Sequence, residues 1–487
     1  MLPAIRPIPQ QRVALIAILF PCALSACAGH PLRSPDITVP ASFASASRTV
    51  ATPAALDRWW MLFADPQLSE LVEAALLHAP DARSALAVLD EARATRAQAL
   101  SRFNPQGNIT SSISRQRSDM SGASFPGLAT TSAGATTVYS GAFNPSWEID
   151  LFGRRGAARD AADADLAAAV FRQEAAMQSL SSNVAGNLFE ARGLAVRLEE
   201  ARETRRVARE LANIGRRRVE AGIGSQVDAA SLEADFATTE DAVRGLEAQL
   251  AVSRRTLVVL IGRGTEALDV VPIQPWLGET PPIPAATPAT LLVARPDVRE
   301  AQAALQSAAG TLKLSERALL PTFNLLPGIS RNGVAGSSGY ATSLWSLGAG
   351  LTLPIFDRQR LLAQARGARA RGEQAVIAYE KVVQTAYGEA EQAFVTVAAN
   401  QDRVTILARA AATAEFAFEA QREGYRAGVV DLTTLLNAER TWRANRQALS
   451  AMRATSLRDA VNLFRALGGG WSPDIVGASP ASEGKLR

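Results

Sequence analysis

Tyr139-Ser140-Gly141-Ala142-Phe143-Asn144-Pro145-Ser146-Trp147-Glu148-Ile149-Asp150-Leu151 is the stretch on which the fold turns. Its odd positions Tyr139, Phe143, Trp147, Ile149 and Leu151 are mostly apolar, and its even positions Ser140, Asn144, Ser146, Glu148 and Asp150 are polar. Successive side chains of a strand point to opposite faces, so a period of two predicts a strand with one apolar and one polar face. Gly141, Ala142 and Pro145 blur the pattern. It returns further along, where Trp345, Leu347, Ala349, Leu351 and Leu353 alternate with Ser346, Gly348, Gly350 and Thr352. A weaker strand precedes each, carried by Ile109 and Ile113 in one case and by Phe323, Leu325 and Ile329 in the other. Between partners lie loops rich in Gly, Ser and Thr, around 117–136 and 332–342. The reading is one hairpin in each half of the chain and four strands in all.

After each hairpin the period changes. From Arg155 to about Arg217 no proline interrupts a run dominated by Ala, Arg, Leu and Glu. Such a run, at 1.5 Å per residue, makes a helix of roughly 95 Å. A similar stretch spans about 359–423. Each ends at a glycine turn, Ala221-Gly222-Ile223-Gly224 or Ala427-Gly428-Val429-Val430, and returning helices are expected near 226–261 and 432–467. Gly222-Ile223-Gly224 is not a dinucleotide loop, since it follows a helix rather than a strand and the third glycine is missing. A shorter helix over 81–103 is stopped by Pro105.

The two halves are copies. Pro80-Asp81-Ala82-Arg83 answers Pro296-Asp297-Val298-Arg299, and Pro105 answers Pro321, both at 296 − 80 = 321 − 105 = 216. Leu151-Phe152 answers Ile355-Phe356 at 355 − 151 = 204, and Gly222 answers Gly428 at 428 − 222 = 206. Glu233 and Glu439 keep that last offset, as do Gly262 and Gly468. The drop in offset falls between Pro105 and Leu151, where it is a difference in loop length. The organisation expected is an export signal over 1–26, an acylated cysteine and extended linker over 27–56, and a first repeat over 57–271. A connector over 272–290, a second repeat over 291–471 and a flexible tail over 472–487 follow.

The amino terminus carries Arg6 and Arg12, an apolar run from Val13 to Leu24, and then Leu24-Ser25-Ala26-Cys27. A charged start and a short apolar run form an export signal, too short to span a bilayer. Small residues before a cysteine resemble the lipobox of bacterial lipoproteins, in which the chain is cut before the cysteine and Cys27 is acylated. The other reading is an ordinary signal cut near Ala26, with Cys27 a free thiol. By resemblance to lipoproteins, Ala28 in place of an aspartate favours the outer membrane. Residues 28–54 show no period and read as an extended tether, with order beginning near Asp57.

Composition narrows the function. Of 487 residues, 51 are basic and 47 acidic, a net charge of +4, and no concentrated basic stripe points to nucleic acid. Hydrophobic residues make up 47%, too many for a disordered chain. There are two histidines, His30 and His78, and two cysteines, Cys22 and Cys27, which excludes a zinc site built on several of them. Only His78 is placed to serve a Ser-His-Asp triad. Lysine occurs only at 313, 381 and 485, so no internal P-loop exists. No catalytic residue, metal or cofactor is expected. Four alternating strands cannot close a barrel alone, and an open edge is forbidden in lipid, so several chains are expected to close one barrel.

Motifs spread over the chain resemble the TolC-like outer-membrane efflux channels, in the lipoprotein branch of the OprM/NodT type. They are Leu24-Ser25-Ala26-Cys27, Trp60 with Phe63-Ala64-Asp65-Pro66-Gln67-Leu68, Ala294-Arg295-Pro296-Asp297-Val298, Leu353-Pro354-Ile355-Phe356-Asp357, Tyr425-Arg426-Ala427-Gly428 and Leu467-Gly468-Gly469-Gly470-Trp471. The resemblance implies a mainly helical fold with a transmembrane β-barrel section. Four strands from each member of a homotrimer complete a twelve-stranded barrel, which a long periplasmic helical barrel continues. It implies a passive exit duct for small molecules across the outer membrane of a Gram-negative bacterium, docked to a periplasmic adaptor and an inner-membrane pump. Within the resemblance Tyr425 stands at the gate tyrosine. Val430 occupies its arginine partner's position, and Thr434 and Asn437 those of two gate aspartates. Asp431 and Asp228 are the nearby carboxylates for a constriction, or else simply begin the returning helices. Tyr139, Trp147 and Trp345 are candidate membrane-interface aromatics, with core packing the other reading. Gly222, Gly428 and Arg217 are candidate adaptor contacts, Arg217 otherwise belonging to a solvated face. A lipid-anchored periplasmic adaptor and a structural coiled-coil lipoprotein are the alternatives. An adaptor would carry one helical hairpin between lipoyl-like and β-barrel domains; this chain shows two, alternating with strand pairs.

Overall fold

The fold is taken from a computed structural model, which describes residues 31–44, 56–117, 135–282, 287–288, 294–335 and 339–469. The export signal, Cys27, the segment beyond 469 and the loop over 118–134 lie outside them. A 3-10 turn, Leu56–Phe63, precedes α1 (Pro66–His78) and α2 (Pro80–Ser101). Then come β1 (Ile109–Arg117), β2 (Ala135–Phe143), β3 (Trp147–Ile149), α3 (Arg154–Glu220) and α4 (Gln226–Leu260). The second copy supplies α5 (Pro296–Arg317), β4 (Thr322–Ala335), β5 (Tyr340–Thr352), α6 (Arg358–Arg426) and α7 (Leu432–Ala466). The duplication survives in the lengths: α2 and α5 have 22 residues each, α3 and α6 have 67 and 69, and α4 and α7 have 35 each.

By contacts the chain divides into two compact units. The first joins Glu91–Ala167 and Ala303–Ala378 to the start of the chain and holds the sheet. All its pairings are antiparallel, in the spatial order β1, β2, β4, β5. The stretch expected as one strand is two by hydrogen bonding, because Pro145 has no N–H to give a ladder. Register nevertheless runs straight through the gap. Phe143 faces Ile329 and Trp147 faces Leu325, while Gln106 bridges Ser146 in the same register that pairs Ile109 with Phe143. β2 and β3 are therefore one interrupted strand, and the sheet is four strands wide. Leu151 and Leu353 lie beyond the ladder. Leaving the sheet, Asp150 accepts the backbone N–H groups of Arg154 (2.7 Å) and Arg155 (3.0 Å), satisfying two orphan donors that open α3.

The second unit, Asp36–Asp90, Ala168–Gln302 and Tyr379–Arg487, is helical. Trp59, Trp60, Phe63, Phe189 and Phe464 form its aromatic centre, with Trp59 stacked on Phe464 at 6.0 Å. Beside it the Asp65-Pro66-Gln67 motif finds its physical reason. Asp65 caps α1 by accepting from the Leu68 N–H (3.1 Å), and pairs with Arg192 of α3, both side chains being almost wholly buried. Arg192 also donates to Gln67 Oε1 (2.7 Å), and Gln67 donates to the Pro272 carbonyl (2.6 Å) in the connector. The second copy uses its own arginine: Arg295 donates to Asp297 (2.6 Å), Glu389 (2.7 Å) and the Ala466 carbonyl (3.1 Å). Each returning helix closes with a glycine at positive φ, Gly262 (+80°) and Gly468 (+97°). A Cβ on the first would strike the His78 carbonyl, and one on the second would strike Ala294, the same contact made twice.

Over its described residues 31–44 the linker has no helix or strand, and it is packed rather than a free tether. In the sheet unit Leu32 fills the notch left by Gly372, and Arg33 reaches Glu373 at 3.5 Å. In the helical unit the N–H groups of Asp36 and Ala44 donate to Glu380 (2.8 Å) and Glu391 (2.6 Å). Ile37 and Val39 pack near Val298 and Val383, and Phe43 is buried against Tyr387 and Phe394. Order therefore begins well before Asp57.

Candidate functional site

Two regions carry the functional geometry. The first is the sheet. Its register aligns Ile109, Phe143, Ile329 and Trp345 in one row across all four strands, all of them exposed. Phe323, Leu325, Leu347, Leu351, Trp147 and Ile149 share that face, and Ile113 and Tyr139 extend it. The opposite face aligns Ser112, Ser140, Asn332 and Thr342, with the Ser112 and Ser140 hydroxyls 2.8 Å apart. Leu326, Leu344, Val138 and Val334 interrupt the polar face, and Arg331, Arg115 and Arg117 the apolar one. Ile109 is 81% and Trp345 79% exposed, so among the described residues no element covers the apolar face there. Among the described residues the outer edges of β1 and β5 pair with nothing.

The three aromatics differ in surroundings. Trp345 stands in the open apolar row. Trp147 is anchored, its indole N–H donating to the Phe103 carbonyl at 3.2 Å. Tyr139 lies flat over Gly333, where any Cβ would overlap its ring, an aromatic covering a strand glycine.

The second region is the pair of turns that end α3 and α6, and it is built twice on one plan. Ile223 N–H donates to the Arg218 carbonyl (3.0 Å) and Gly222 N–H to Val219 (2.9 Å). Val429 N–H donates to Gly424 (3.0 Å) and Gly428 N–H to Tyr425 (3.1 Å). These are Schellman closures, which require a left-handed residue; Gly222 and Gly428 supply it at φ +73° and +76°. The residue after each is apolar and bare, Ile223 at 73% and Val429 at 81% exposure. Arg217 is exposed beside the first turn.

Asp431 caps α7. It accepts the Thr434 N–H (3.0 Å) and hydroxyl (2.6 Å), and these bonds hold its carboxyl below the ordinary range. Asp228 sits in the first turn of α4, whose cap is Ser225. Tyr425 is buried in a cluster with Phe418, Leu435 and Trp442, with the Arg218 guanidinium over its ring at 5.4 Å. Asp228, Asp431, Tyr425 and Arg218 line one cavity of about 360 Å³ between the turns. The structure thus brings the three candidate gate residues to one place.

Sequence reasoning missed the ties between helices. Arg426 of α6 pairs with Glu210 of α3 at 2.6 Å. Arg443 of α7 bridges Glu439 (2.6 Å) and Asp235 of α4 (3.1 Å). Glu439 is wholly buried, and burial pushes its carboxyl above the ordinary range against the pull of Arg443. Desolvation also raises the carboxyls of Glu200, bonded to Ser450, and of Glu174, beside Arg299. The only trace in the sequence was the shared offset of Glu233 and Glu439, which says nothing of burial. Among the described residues no group of His, Cys, Asp and Glu is arranged to hold a metal.

A sequence model of the outer membrane efflux protein family matches residues 71–263 and 287–469, one match for each repeat. The chain is 28% identical over 421 residues to the pyoverdine export outer membrane protein OpmQ of Pseudomonas aeruginosa, covering 86% of this chain and 89% of that one. It is 26% identical over 467 residues to the cation efflux system protein CusC of Escherichia coli, covering 94% and 98%. Among solved structures, the outer-membrane channel OprN superposes with a TM-score of 0.79 at 28% identity, covering 92% of this chain and all of that one. CusC superposes with a TM-score of 0.77 at 24% identity, covering 91% and 100%, a likeness of fold.

Proposed function

The chain belongs to the outer membrane efflux protein family, and from that premise we propose that three copies form one passive exit duct for small molecules across the outer membrane. The carrying observation is the four-stranded sheet, which among the described residues has two unpaired edges and one bare apolar face. Bare backbone edges cannot stand in lipid, and copies joined β5 to β1 satisfy every edge. Twelve strands then present the Ile109–Trp345 row to lipid and the Ser112–Thr342 row to water. Trp345 and Tyr139 fit the membrane boundary.

Efflux across two membranes needs a pump and an adaptor, and the turns are the natural docking end. Gly222 and Gly428 set their shape, Ile223 and Val429 offer apolar contacts, and Arg217 offers charge. Acylation of Cys27 would hold each chain to the membrane. The gate reading rests on Tyr425, Asp228 and Asp431 lining one cavity. An energy source and reaction chemistry are left to the pump.

The test is conductance of the purified protein in planar bilayers, beside its oligomer mass. Conducting trimers are expected. Asp431→Asn keeps the cap and removes the charge, whereas Asp431→Ala removes both. Higher conductance in both variants supports a charged constriction at Asp431. A change in the alanine variant alone makes Asp431 a cap and nothing more, and a monomer that never conducts refutes the duct.

A further inference from the structure

We propose that Arg331 binds the phosphate of an anionic lipid headgroup in the outer leaflet, an inference that rests on the barrel reading above. β4 places Arg331 opposite Gly141 of β2 and Ser343 of β5, on the apolar face. The row on one side of it is Ile109, Phe143, Ile329 and Trp345; the row on the other side includes Ile113 and Tyr139. Residues two apart on a strand are about 7 Å apart, so the guanidinium emerges between the Trp345 and Tyr139 rows, at the membrane boundary those aromatics mark. A cation at that depth stands level with the headgroup phosphates, where it is tolerated and can pair with one.

The sheet offers no counter-ion. β1, β2, β4 and β5 contain no Asp or Glu. Glu148 of β3 stands on the other face, opposite Asn324, and is paired with Arg154 at 3.0 Å. The anion must come from outside the sheet.

A shallow open depression of about 420 Å³ is lined by Arg331 and Ser343 and by the apolar floor of Ile109, Phe143 and Ile329, the row next to them on the same face. Gly141 leaves open space where a side chain would stand. An apolar floor below a guanidinium and a hydroxyl suits an acyl chain below a phosphate, which guanidinium donors bind in a fork. The leaflet follows from topology. Arg331 lies near the β4–β5 turn, the end away from Arg154 and Arg358, where α3 and α6 begin. With the helices periplasmic, that turn faces outward. Arg115, two rows further out on the same face, adds a second cation.

The full chain, purified and stripped of lipid in neutral detergent, is incubated with phosphatidylglycerol or with diacylglycerol, which lacks the phosphate. Adducts on the intact trimer are counted by native mass spectrometry. Phosphatidylglycerol should be retained at about one per protomer, and Arg331→Gln should lower retention by about tenfold, the equivalent of one charged hydrogen bond. Arg331→Lys, which keeps the cation, should retain most of it, and conductance should not change in either. Equal retention by Arg331→Gln trimers, or of diacylglycerol by the unmodified chain, overturns the site and leaves the barrel standing. Displacement by inorganic phosphate overturns the lipid in favour of a soluble anion. An unmodified chain that neither trimerises nor inserts removes the barrel reading and this one with it.

Discussion

Arg192→Leu should loosen the start of the helical unit more than any surface change. The guanidinium removed is 4% exposed, and it holds Asp65, itself 3% exposed, at both carboxylate oxygens. It also holds Gln67 at 2.7 Å and lies 5.3 Å from the centre of the Trp276 ring. Without it the Asp65 carboxylate stays buried with only the Leu68 N–H at 3.1 Å as partner. Leaving one member of a buried pair uncompensated costs about 3–5 kcal/mol. Opening of the segment Leu56–His78 then becomes on the order of several hundredfold more frequent. Amide hydrogen exchange of the purified protein, read on the peptides covering 56–78, measures it directly. Asp65→Asn keeps a capping oxygen while removing the charge, so the double variant Asp65→Asn/Arg192→Leu should recover most of the loss. Protection in the single variant within about threefold of the unmodified chain would refute the reasoning, as would a double variant no better than the single.

Gly222→Ala and Gly428→Ala meet no atom at the new Cβ, so each should cost only the left-handed backbone penalty, about 1–2 kcal/mol, seen as faster exchange at the turns. Phe43→Ala removes a ring buried on Tyr387 and Phe394; the loss should be about 3 kcal/mol, and protease cleavage within 31–44 should rise sharply. Burial holds the Glu439 carboxyl above the ordinary range, so the folded chain binds its proton more tightly than the unfolded one does. Its stabilising share is complete below that range and is lost as pH rises through the folded value. Protection of α7 should fall across that window, and Glu439→Gln should flatten the fall.

The helices were legible because their punctuation is local. Pro66, Pro80 and Pro296 sit at first positions, and Gly222, Gly262, Gly428 and Gly468 stand just beyond the ends. Expected boundaries fell within about three residues of those observed. The strand pattern was legible as alternation, but the break at Pro145 was read as blur. The packed linker was invisible for a different reason. Ile37, Val39 and Phe43 follow no period, and what buries them, Val383, Tyr387 and Phe394, lies more than three hundred residues away. Asp65 and Arg192 are likewise far apart in sequence, and no local rule couples them. At the turns, Asp431 as a cap followed from its place before Leu432; the burial of Tyr425 beneath Arg218 did not.

The unbroken register through Asn144-Pro145 makes the strand count per chain even. With alternating directions, the chain enters and leaves the sheet at the same end both times, so every connection at that end runs into a helix. Evenness also makes the seam self-consistent. The last strand of one copy runs down and the first of the next runs up, so they meet antiparallel in a closed ring of any number of copies. Strand pairing would thus be indifferent to how many chains closed a barrel of the kind proposed. In such a ring the copy number would have to be set outside the ladder, so substitutions on α3 and α6 are where a change of copy number would be sought.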